Sequence, residues 1–453
     1  MASGKGVLSG KGGTGEASAK EQQIFRLVEE LMKENEESKK FIPGQSKVHY
    51  SGPLFGHREV NAILSSLFDG WLAEGKNTVE FERRFSQFVG AKDAVVTNSG
   101  SSALLLSFAA LMNRGVENPL KQGDEVITSA LTFPTTLNAA LLNGLSLAFV
   151  DVDRQSYNMG LAQLERTVTK KTRAILAMHH LGNPIEMDAL MEIAERHDLA
   201  VVEDCCDAHG SSYKGKKLGS WGELGAFSFY GAHAMTMGEG GIITTSNEAL
   251  VPLLLSLKTC GRACVCRVCT IAMNSETRCP IRFKAGMKGF EEYDKRTLYP
   301  NVGYKLKTLD LQAAMGLVQL ERLPQFVKSR KRNFDFIVSS LRPFEKFLQL
   351  PEETKNSEAC WFAVPLTIKE GAPFSRRDIV DFLEKKNIET RPLLGGNILK
   401  QPAYNGMKFR STPLPNTDYF HDNSFYIGCH PGLTHEMLDY IACSFGEFFK
   451  RPK

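Results

Sequence analysis

Residues 94–111 read AVVTNSGSSALLLSFAAL: a short β-branched run, a turn of small polar residues and then a helical stretch. The same order of strand, turn and helix recurs from about residue 55 to residue 325. The other short apolar runs span 125–128, 147–150, 174–177, 200–203 and 241–245. Helical patterns such as that of 188–197 lie between several of them. This alternation predicts an α/β fold with a mostly parallel central sheet flanked by helices.

The pattern changes outside this region of the 453-residue chain. We predict four segments: a disordered leader (1–20), an N-terminal helix and arm (21–50), a large domain (51–325) and a smaller C-terminal α+β domain (326–453). Two helices, 311–323 and 325–341, are expected on either side of the last boundary.

Composition excludes several classes of protein. Hydrophobic residues make up 42% and charged residues 23%, so a large core is available and disorder of the whole chain is excluded. The 55 Lys and Arg nearly balance the 51 Asp and Glu, which gives no general basis for binding nucleic acid. The sequence contains no run of about 18 apolar residues and no apolar signal core, so we expect a cytoplasmic protein without a membrane span.

Polar motifs follow the predicted strands, at the sheet edge where parallel sheets bind ligands. Gly100, Ser101 and Ser102 open a helix whose free N–H groups suit phosphate, although an ordinary helix cap has the same composition. Taken singly, Phe133 is typical of a core residue and Asp204 of a cap. Together the three motifs meet the demands of pyridoxal phosphate: phosphate binding, stacking on the ring and a proton kept on the pyridine nitrogen.

From about residue 40 onward the chain resembles the DegT/DnrJ/EryC1/StrS-type sugar aminotransferase/dehydrase family of fold-type I pyridoxal phosphate enzymes. The motifs that carry the resemblance are, in order, Asn98–Leu104, Gly123–Ile127, Phe149–Asp153, Glu203–Asp204, Phe227–Tyr230, Gly238–Gly241 and Leu311–Ala314. The resemblance implies a large coenzyme-binding domain, a smaller C-terminal domain and a homodimer whose active sites lie between the subunits.

One position separates this chain from the family's aminotransferases. In those enzymes a Lys five residues after the Ser of Phe-Ser-Phe forms a Schiff base, whereas here Ser228 is followed at that distance by His233. The substitution resembles the branch that uses pyridoxamine 5′-phosphate to remove the C3 hydroxyl of a nucleotide-linked 4-keto-6-deoxyhexose. The resemblance then implies that His233 moves a proton, with Tyr230 nearby, while Asp204 keeps the ring nitrogen protonated. Asp207 falls where related aminotransferases have Gln near the ring hydroxyl.

Five of the ten cysteines fall between residues 260 and 279, which is typical of metal binding in a large reduced protein. One dehydrase subgroup holds a [2Fe–2S] cluster and receives electrons from a flavin/iron–sulfur reductase that uses NADH or NADPH. Resemblance to that subgroup implies a metal-binding loop over 258–284. The implied ligands, spaced by 57, 1 and 12 residues, are Cys206, Cys264, Cys266 and Cys279. A structural zinc site is the alternative, and Cys269 is close enough in sequence to replace a ligand.

Three other functions stay open at this point. The first is a cluster-free dehydratase that recycles its coenzyme with glutamate. The second is an aminotransferase that uses another lysine, such as Lys305, which stands where the family usually has an Asn directed at the coenzyme phosphate of the neighbouring subunit. Lys305 could also bind that phosphate as a point charge. The third is a non-catalytic, zinc-stabilised member of the fold.

Overall fold

The computed structural model describes residues 18–37, 40–269 and 278–450, so the predicted leader lies almost entirely outside the described residues. The strands are β1 Asp93–Thr97, β2 Glu125–Ser129, β3 Ser146–Val150, β4 Thr172–Met178, β5 Ala200–Asp204, β6 Ser212–Tyr213, β7 Lys216–Lys217, β8 Leu224–Ser228, β9 Gly241–Thr245, β10 Leu348–Gln349, β11 Ser357–Glu358, β12 Ala363–Ile368, β13 Arg391–Pro392, β14 Arg410–Ser411 and β15 Ser424–Gly428. The α-helices are α1 Ala19–Glu37, α2 His57–Phe68, α3 Lys76–Val89, α4 Gly100–Leu111, α5 Pro134–Leu141, α6 Leu161–Thr167, α7 Met187–Arg196, α8 Leu250–Lys258, α9 Asp310–Leu341, α10 Arg376–Lys385, α11 Pro415–Asn423 and α12 His435–Lys450.

The central sheet has the spatial order β1-β9-β8-β5-β4-β2-β3-β14. Neighbouring strands are parallel except where β9 pairs with β1 and β8. The predicted α/β class with a mostly parallel sheet is therefore confirmed. Strand β8 is absent from the predicted runs because its sequence, LGAFS, contains no β-branched residue.

Helices cover both faces of this sheet. Val95 and Val96 of β1 are both fully buried, and they face opposite sides because side chains alternate along a strand. Val96 belongs to a core that includes side chains of α3, α7 and α9, whereas Val95 belongs to a core that includes those of α4, α5 and α8. Strands buried on both faces require nearly continuous apolar sequence, which explains why the apolar runs predict most of the sheet.

A second, antiparallel sheet has the order β10-β12-β15-β13 and packs with α10 and α12 in a core of its own. Strand β14 belongs to the same C-terminal part of the chain, yet it pairs with β3 of the central sheet. There the Arg410 guanidinium donates to the Glu125 carboxylate at 2.9 Å. Among the described helices, none combines the length and the apolar character needed to cross a bilayer.

Helix α9 connects the two cores. Leu320 and Leu323 belong to the core of the central sheet, and Phe334 and Ile337 belong to the core of the second sheet. The two helices expected at 311–323 and 325–341 are therefore one helix, which continues through Pro324. The predicted domain boundary at residue 325 falls inside this helix and stays a prediction.

Candidate active site

The loop after β1 is shaped by close packing of small residues. Ser99 caps α4, and its Oγ accepts a hydrogen bond from the Ser102 backbone N–H at 3.1 Å. A Cβ at Gly100 would lie 2.5 Å from the Ser228 Cβ and 2.9 Å from the Cys206 Sγ, closer than side-chain atoms approach. The first turn of α4 therefore sits directly against the residues that end β8 and follow β5. Its unpaired N–H groups suit an anion.

A cavity of about 400 Å³ opens at the carboxyl ends of the parallel strands. Most of the predicted coenzyme-site residues line it, namely Gly100, Ser101, Phe133, Asp204, Asp207, Ser228, Tyr230 and His233. Two predicted residues do not line it within one chain. The Ser102 hydroxyl lies 3.0 Å from the Ser99 Oγ and supports the helix cap, and Lys305 forms an isolated β-bridge with Thr259. The phosphate contacts predicted for Ser102 and, across the subunit interface, for Lys305 stay predictions.

Asp204 is the buried acid of the cavity. Its Oδ2 accepts a hydrogen bond from the Thr136 hydroxyl at 2.7 Å, and its Oδ1 accepts one from the Cys206 backbone N–H at 3.1 Å. Burial raises the pKa of Asp204 because the charged form is taken out of water. A cationic partner would restore the charged form, and a protonated ring nitrogen in the cavity is such a partner.

Glu203, the neighbour of Asp204, has a structural role. Its carboxylate accepts hydrogen bonds from the backbone N–H groups of Gly219, Trp221 and Gly222 at 2.8–2.9 Å. The His179 Nε2 lies 3.3 Å away, and the His179 Nδ1 accepts from a backbone N–H. Burial alone would raise the pKa of Glu203, but these hydrogen bonds hold it below the ordinary value. The pair fixes His179 against one wall of the cavity.

His233 lies in the turn between β8 and β9 and faces the same cavity. Its Nδ1 is 3.3 Å from the Asp207 Oδ1, an electrostatic contact rather than a well-directed hydrogen bond. The imidazole ring also packs against Phe362, with the ring centres 5.6 Å apart. With Nδ1 turned to Asp207, Nε2 is the nitrogen left for proton transfer. Asp207 thus contacts the predicted base, a contact that the resemblance does not indicate.

Other cavity residues are missing from the sequence prediction. Thr136 lies three residues after Phe133, and its hydroxyl binds Asp204. Tyr50 of the N-terminal arm, Phe362 just before β12 and Tyr426 of β15 also line the cavity. Thr136 could have been predicted, because it belongs to the segment that follows β2. The three aromatic residues are distant from it in sequence and belong to no local motif.

The cysteines of the 258–284 region form a second, separate site. A small cavity of about 30 Å³ is lined by four of their thiols, those of Cys264, Cys266, Cys269 and Cys279. Cys206 instead lines the larger cavity, where its backbone N–H donates to Asp204. The structure therefore brings together three of the four predicted ligands, with Cys269 beside them and Cys206 elsewhere.

Buried and partly buried ion pairs attach this cysteine-rich loop to the body of the protein. Arg267 bonds to the carboxylates of Glu82 and Asp93 and donates to the Ala94 carbonyl at 2.8 Å. Lys258 lies 3.6 Å from the same Glu82 and donates to the Val96 carbonyl at 3.0 Å. The loop is thus held against β1, the strand that leads into the turn at Gly100.

The sheet order, the capped helix start and the buried acid at the strand ends define a protein with the fold of pyridoxal phosphate-dependent aminotransferases. The chain belongs to the DegT/DnrJ/EryC1/StrS aminotransferase family, whose model matches residues 54–445.

Relatives with assigned names include dehydratases. The chain is 41% identical to the lipopolysaccharide biosynthesis protein RfbH of Salmonella typhimurium, over 94% of this chain and 98% of that protein. It is 39% identical to the dTDP-4-dehydro-2,6-dideoxy-D-glucose 3-dehydratase of Saccharopolyspora spinosa, over 94% and 91% of the two chains. A crystal structure of Escherichia coli GDP-4-keto-6-deoxy-D-mannose-3-dehydratase with hydrated pyridoxal phosphate matches with a TM-score of 0.78 and 29% identity, over 87% and 98% of the two chains.

Proposed function

We propose that the protein removes the C3 hydroxyl of a nucleotide-linked 4-keto-6-deoxyhexose, with pyridoxamine 5′-phosphate as coenzyme. The observation that carries the proposal is His233, which occupies the position of the family's Schiff-base lysine, faces the cavity and contacts Asp207. The relatives named as 3-dehydratases support the proposal. The similarity to the lipopolysaccharide biosynthesis protein RfbH supports a role in deoxysugar biosynthesis.

The cavity residues fit the proposed coenzyme. The absence of a side chain at Gly100 lets the first turn of α4, whose free N–H groups suit a phosphate, pack against Ser228 and Cys206 at the cavity. Phe133 is half exposed at the cavity, where it can stack on a ring. Asp204, buried with a raised pKa, is suited to bind a protonated ring nitrogen. When bound, the coenzyme supplies a conjugated ring that accepts electron density.

The chain's own residues have separate roles in the proposed reaction. Asp204 holds a proton on the ring nitrogen, and Thr136 fixes the orientation of its carboxylate. The His233 Nε2 takes and returns a proton, while Asp207 holds the other nitrogen. Tyr230, half exposed beside His233, borders the opening where the sugar enters.

The complete reaction needs electrons. Replacing C3–OH by C3–H consumes two electrons and two protons and releases one water molecule. The thiols of the cysteine-rich loop would hold a [2Fe–2S] cluster, which would supply one-electron transfer from a flavin/iron–sulfur reductase that uses NADH or NADPH. Four thiols around one small cavity are the donor set that such a cluster requires.

The test uses anaerobically purified protein with a 4-keto-6-deoxyhexose nucleotide, NADH and a flavin/iron–sulfur reductase. We expect a 3-deoxy-4-keto sugar nucleotide and consumption of one NADH per product. Absence of dehydration, even at stoichiometric enzyme and added pyridoxamine phosphate, would refute the proposal and favour the non-catalytic member of the fold.

Turnover with glutamate and no reductase would support the cluster-free dehydratase instead. A related crystal structure that traps a pyridoxal phosphate–glutamate adduct favours keeping this second candidate. A borohydride-reducible lysine adduct would indicate an aminotransferase that uses Lys305. Gel filtration tests the proposed homodimer, in which Lys305 would reach the neighbouring subunit's coenzyme.

A further inference from the structure

We infer that the metal centre of this protein is bound by Cys264, Cys266, Cys269 and Cys279, with Cys269 in the role that the family resemblance gives to Cys206. The inference rests on the proposed iron–sulfur function, but it concerns which thiols hold the centre. Its consequence is a metal site confined to one loop and a fifth cysteine that stays in the coenzyme cavity.

The positions of the five thiols carry the first step. The four loop cysteines line one cavity, whereas Cys206 lines the larger one, where its Sγ packs against Gly100 and its backbone N–H donates to Asp204. Moving the Cys206 thiol to the loop would leave a gap behind Gly100, where the Sγ now packs. Cys269 needs no such movement, because it already faces the other three thiols.

The spacing of the sulfur atoms favours a binuclear centre over a single ion. Among the described residues, only His179, Glu203 and Cys205 bring three potential ligand atoms within 4.8 Å of one another, so no three loop sulfurs converge that closely. A tetrahedral zinc ion with Zn–S bonds of about 2.3 Å would draw all four sulfurs to about 3.8 Å from one another. A [2Fe–2S] cluster distributes its thiolates over two irons, so three of them need not share one ion.

Charge around the small cavity supports the same ligand set. Arg282, Lys295 and Arg296 line it together with the thiols, and Asp294 forms ion pairs with both arginines. These three cations and one carboxylate leave a net charge of +2 beside the thiols. An oxidised [2Fe–2S] cluster with four thiolates carries a charge of about −2, which this surrounding neutralises.

The His179, Glu203 and Cys205 group is not a competing site. The Glu203 carboxylate is already occupied by three backbone N–H groups, and the His179 Nδ1 accepts from the Ile185 N–H. No open ligand position comparable to that of the loop thiols is left on these two side chains.

The experiment compares single serine variants of the full chain after anaerobic reconstitution with iron and sulfide. Cys269→Ser and Cys206→Ser are the decisive pair. Cys260→Ser is the matched control, because Cys260 lies in the same region, is exposed and does not line the small cavity. Iron, acid-labile sulfide and zinc per chain are measured, together with visible absorption and the EPR spectrum after dithionite. Circular dichroism establishes that each variant is folded.

We expect about two irons and two sulfides per chain in the wild type, Cys206→Ser and Cys260→Ser, and a loss of at least fivefold in Cys269→Ser. Loss in Cys206→Ser with retention in Cys269→Ser would overturn the inference and leave the proposed function standing. If the wild-type protein binds zinc without sulfide, and only Cys269→Ser loses the zinc, the ligand set is supported and the redox proposal is refuted. A wild-type protein that binds neither metal would overturn the inference.

Discussion

Replacing Gly100 by alanine tests whether the turn after β1 is the coenzyme's phosphate site. The added Cβ would stand 2.5 Å from the Ser228 Cβ and 2.9 Å from the Cys206 Sγ. Carbon atoms in contact need about 3.5 Å, so the first turn of α4 must move by about 1 Å. Overpacking of this kind costs about 1–3 kcal/mol of unfolding free energy.

The same displacement should weaken coenzyme binding. The N–H groups at the start of α4 would move away from the phosphate position, and loss of one charge-assisted hydrogen bond costs about 1.5 kcal/mol, or roughly tenfold in the dissociation constant. Urea unfolding measures the first effect, and titration with pyridoxamine phosphate followed by absorption measures the second.

The matched control is Gly446→Ala. Gly446 lies inside α12, and a Cβ there meets nothing within 4 Å. Alanine should stabilise the protein by about 0.5–1 kcal/mol at that position and leave coenzyme binding unchanged. If Gly100→Ala is as stable as the wild type and binds coenzyme equally well, the packing argument for this turn is wrong.

Three further changes probe the base, the buried carboxylate and the loop anchor. His233→Asn removes the proton-transfer group, so kcat should fall by about 10²–10⁴-fold while coenzyme stays bound, and an unchanged kcat would remove His233 from the reaction. Burial alone would raise the pKa of Glu203, but its hydrogen bonds hold that pKa below the ordinary value of 4.5. The ionised carboxylate therefore stabilises the folded protein above pH 4.5, and this stabilisation is lost as the pH falls below 4.5. Glu203→Gln should therefore flatten the acid side of a plot of unfolding free energy against pH. Arg267→Met leaves the buried Glu82 with one cation fewer and should cost about 3 kcal/mol in urea unfolding, with no loss expected for the exposed Arg377→Met.

The sequence predicts the central sheet well because its strands are buried on both faces. The runs at 94–97 and 200–203 correspond closely to β1 and β5, since such strands must be apolar throughout. Strand β14 could not be predicted in this way, because Arg410 and Ser411 form a two-residue edge strand with no apolar pattern. Its pairing depends on contacts with β3 that are distant in sequence.

Part of the candidate site could likewise be predicted from the sequence, and part of it could not. Asp204 and Gly100 could be predicted because a parallel sheet gathers the residues that follow its strands at one edge. The contact between Asp207 and His233 depends on how two separate turns fold against each other, and no spacing rule indicates it. The grouping of Cys269 with the other loop thiols likewise depends on the path of the loop rather than on the order of its cysteines.

Helix α9 contributes side chains to both hydrophobic cores, and this limits how the gene can be recombined. A chimaera of this chain and a relative, with its junction before Asp310 or after Leu341, would give one of the two cores helix side chains from the other parent. Exchanges between family members should therefore succeed best when the junction lies between Leu323 and Phe334, so that each end of the helix stays with most of the core it packs in.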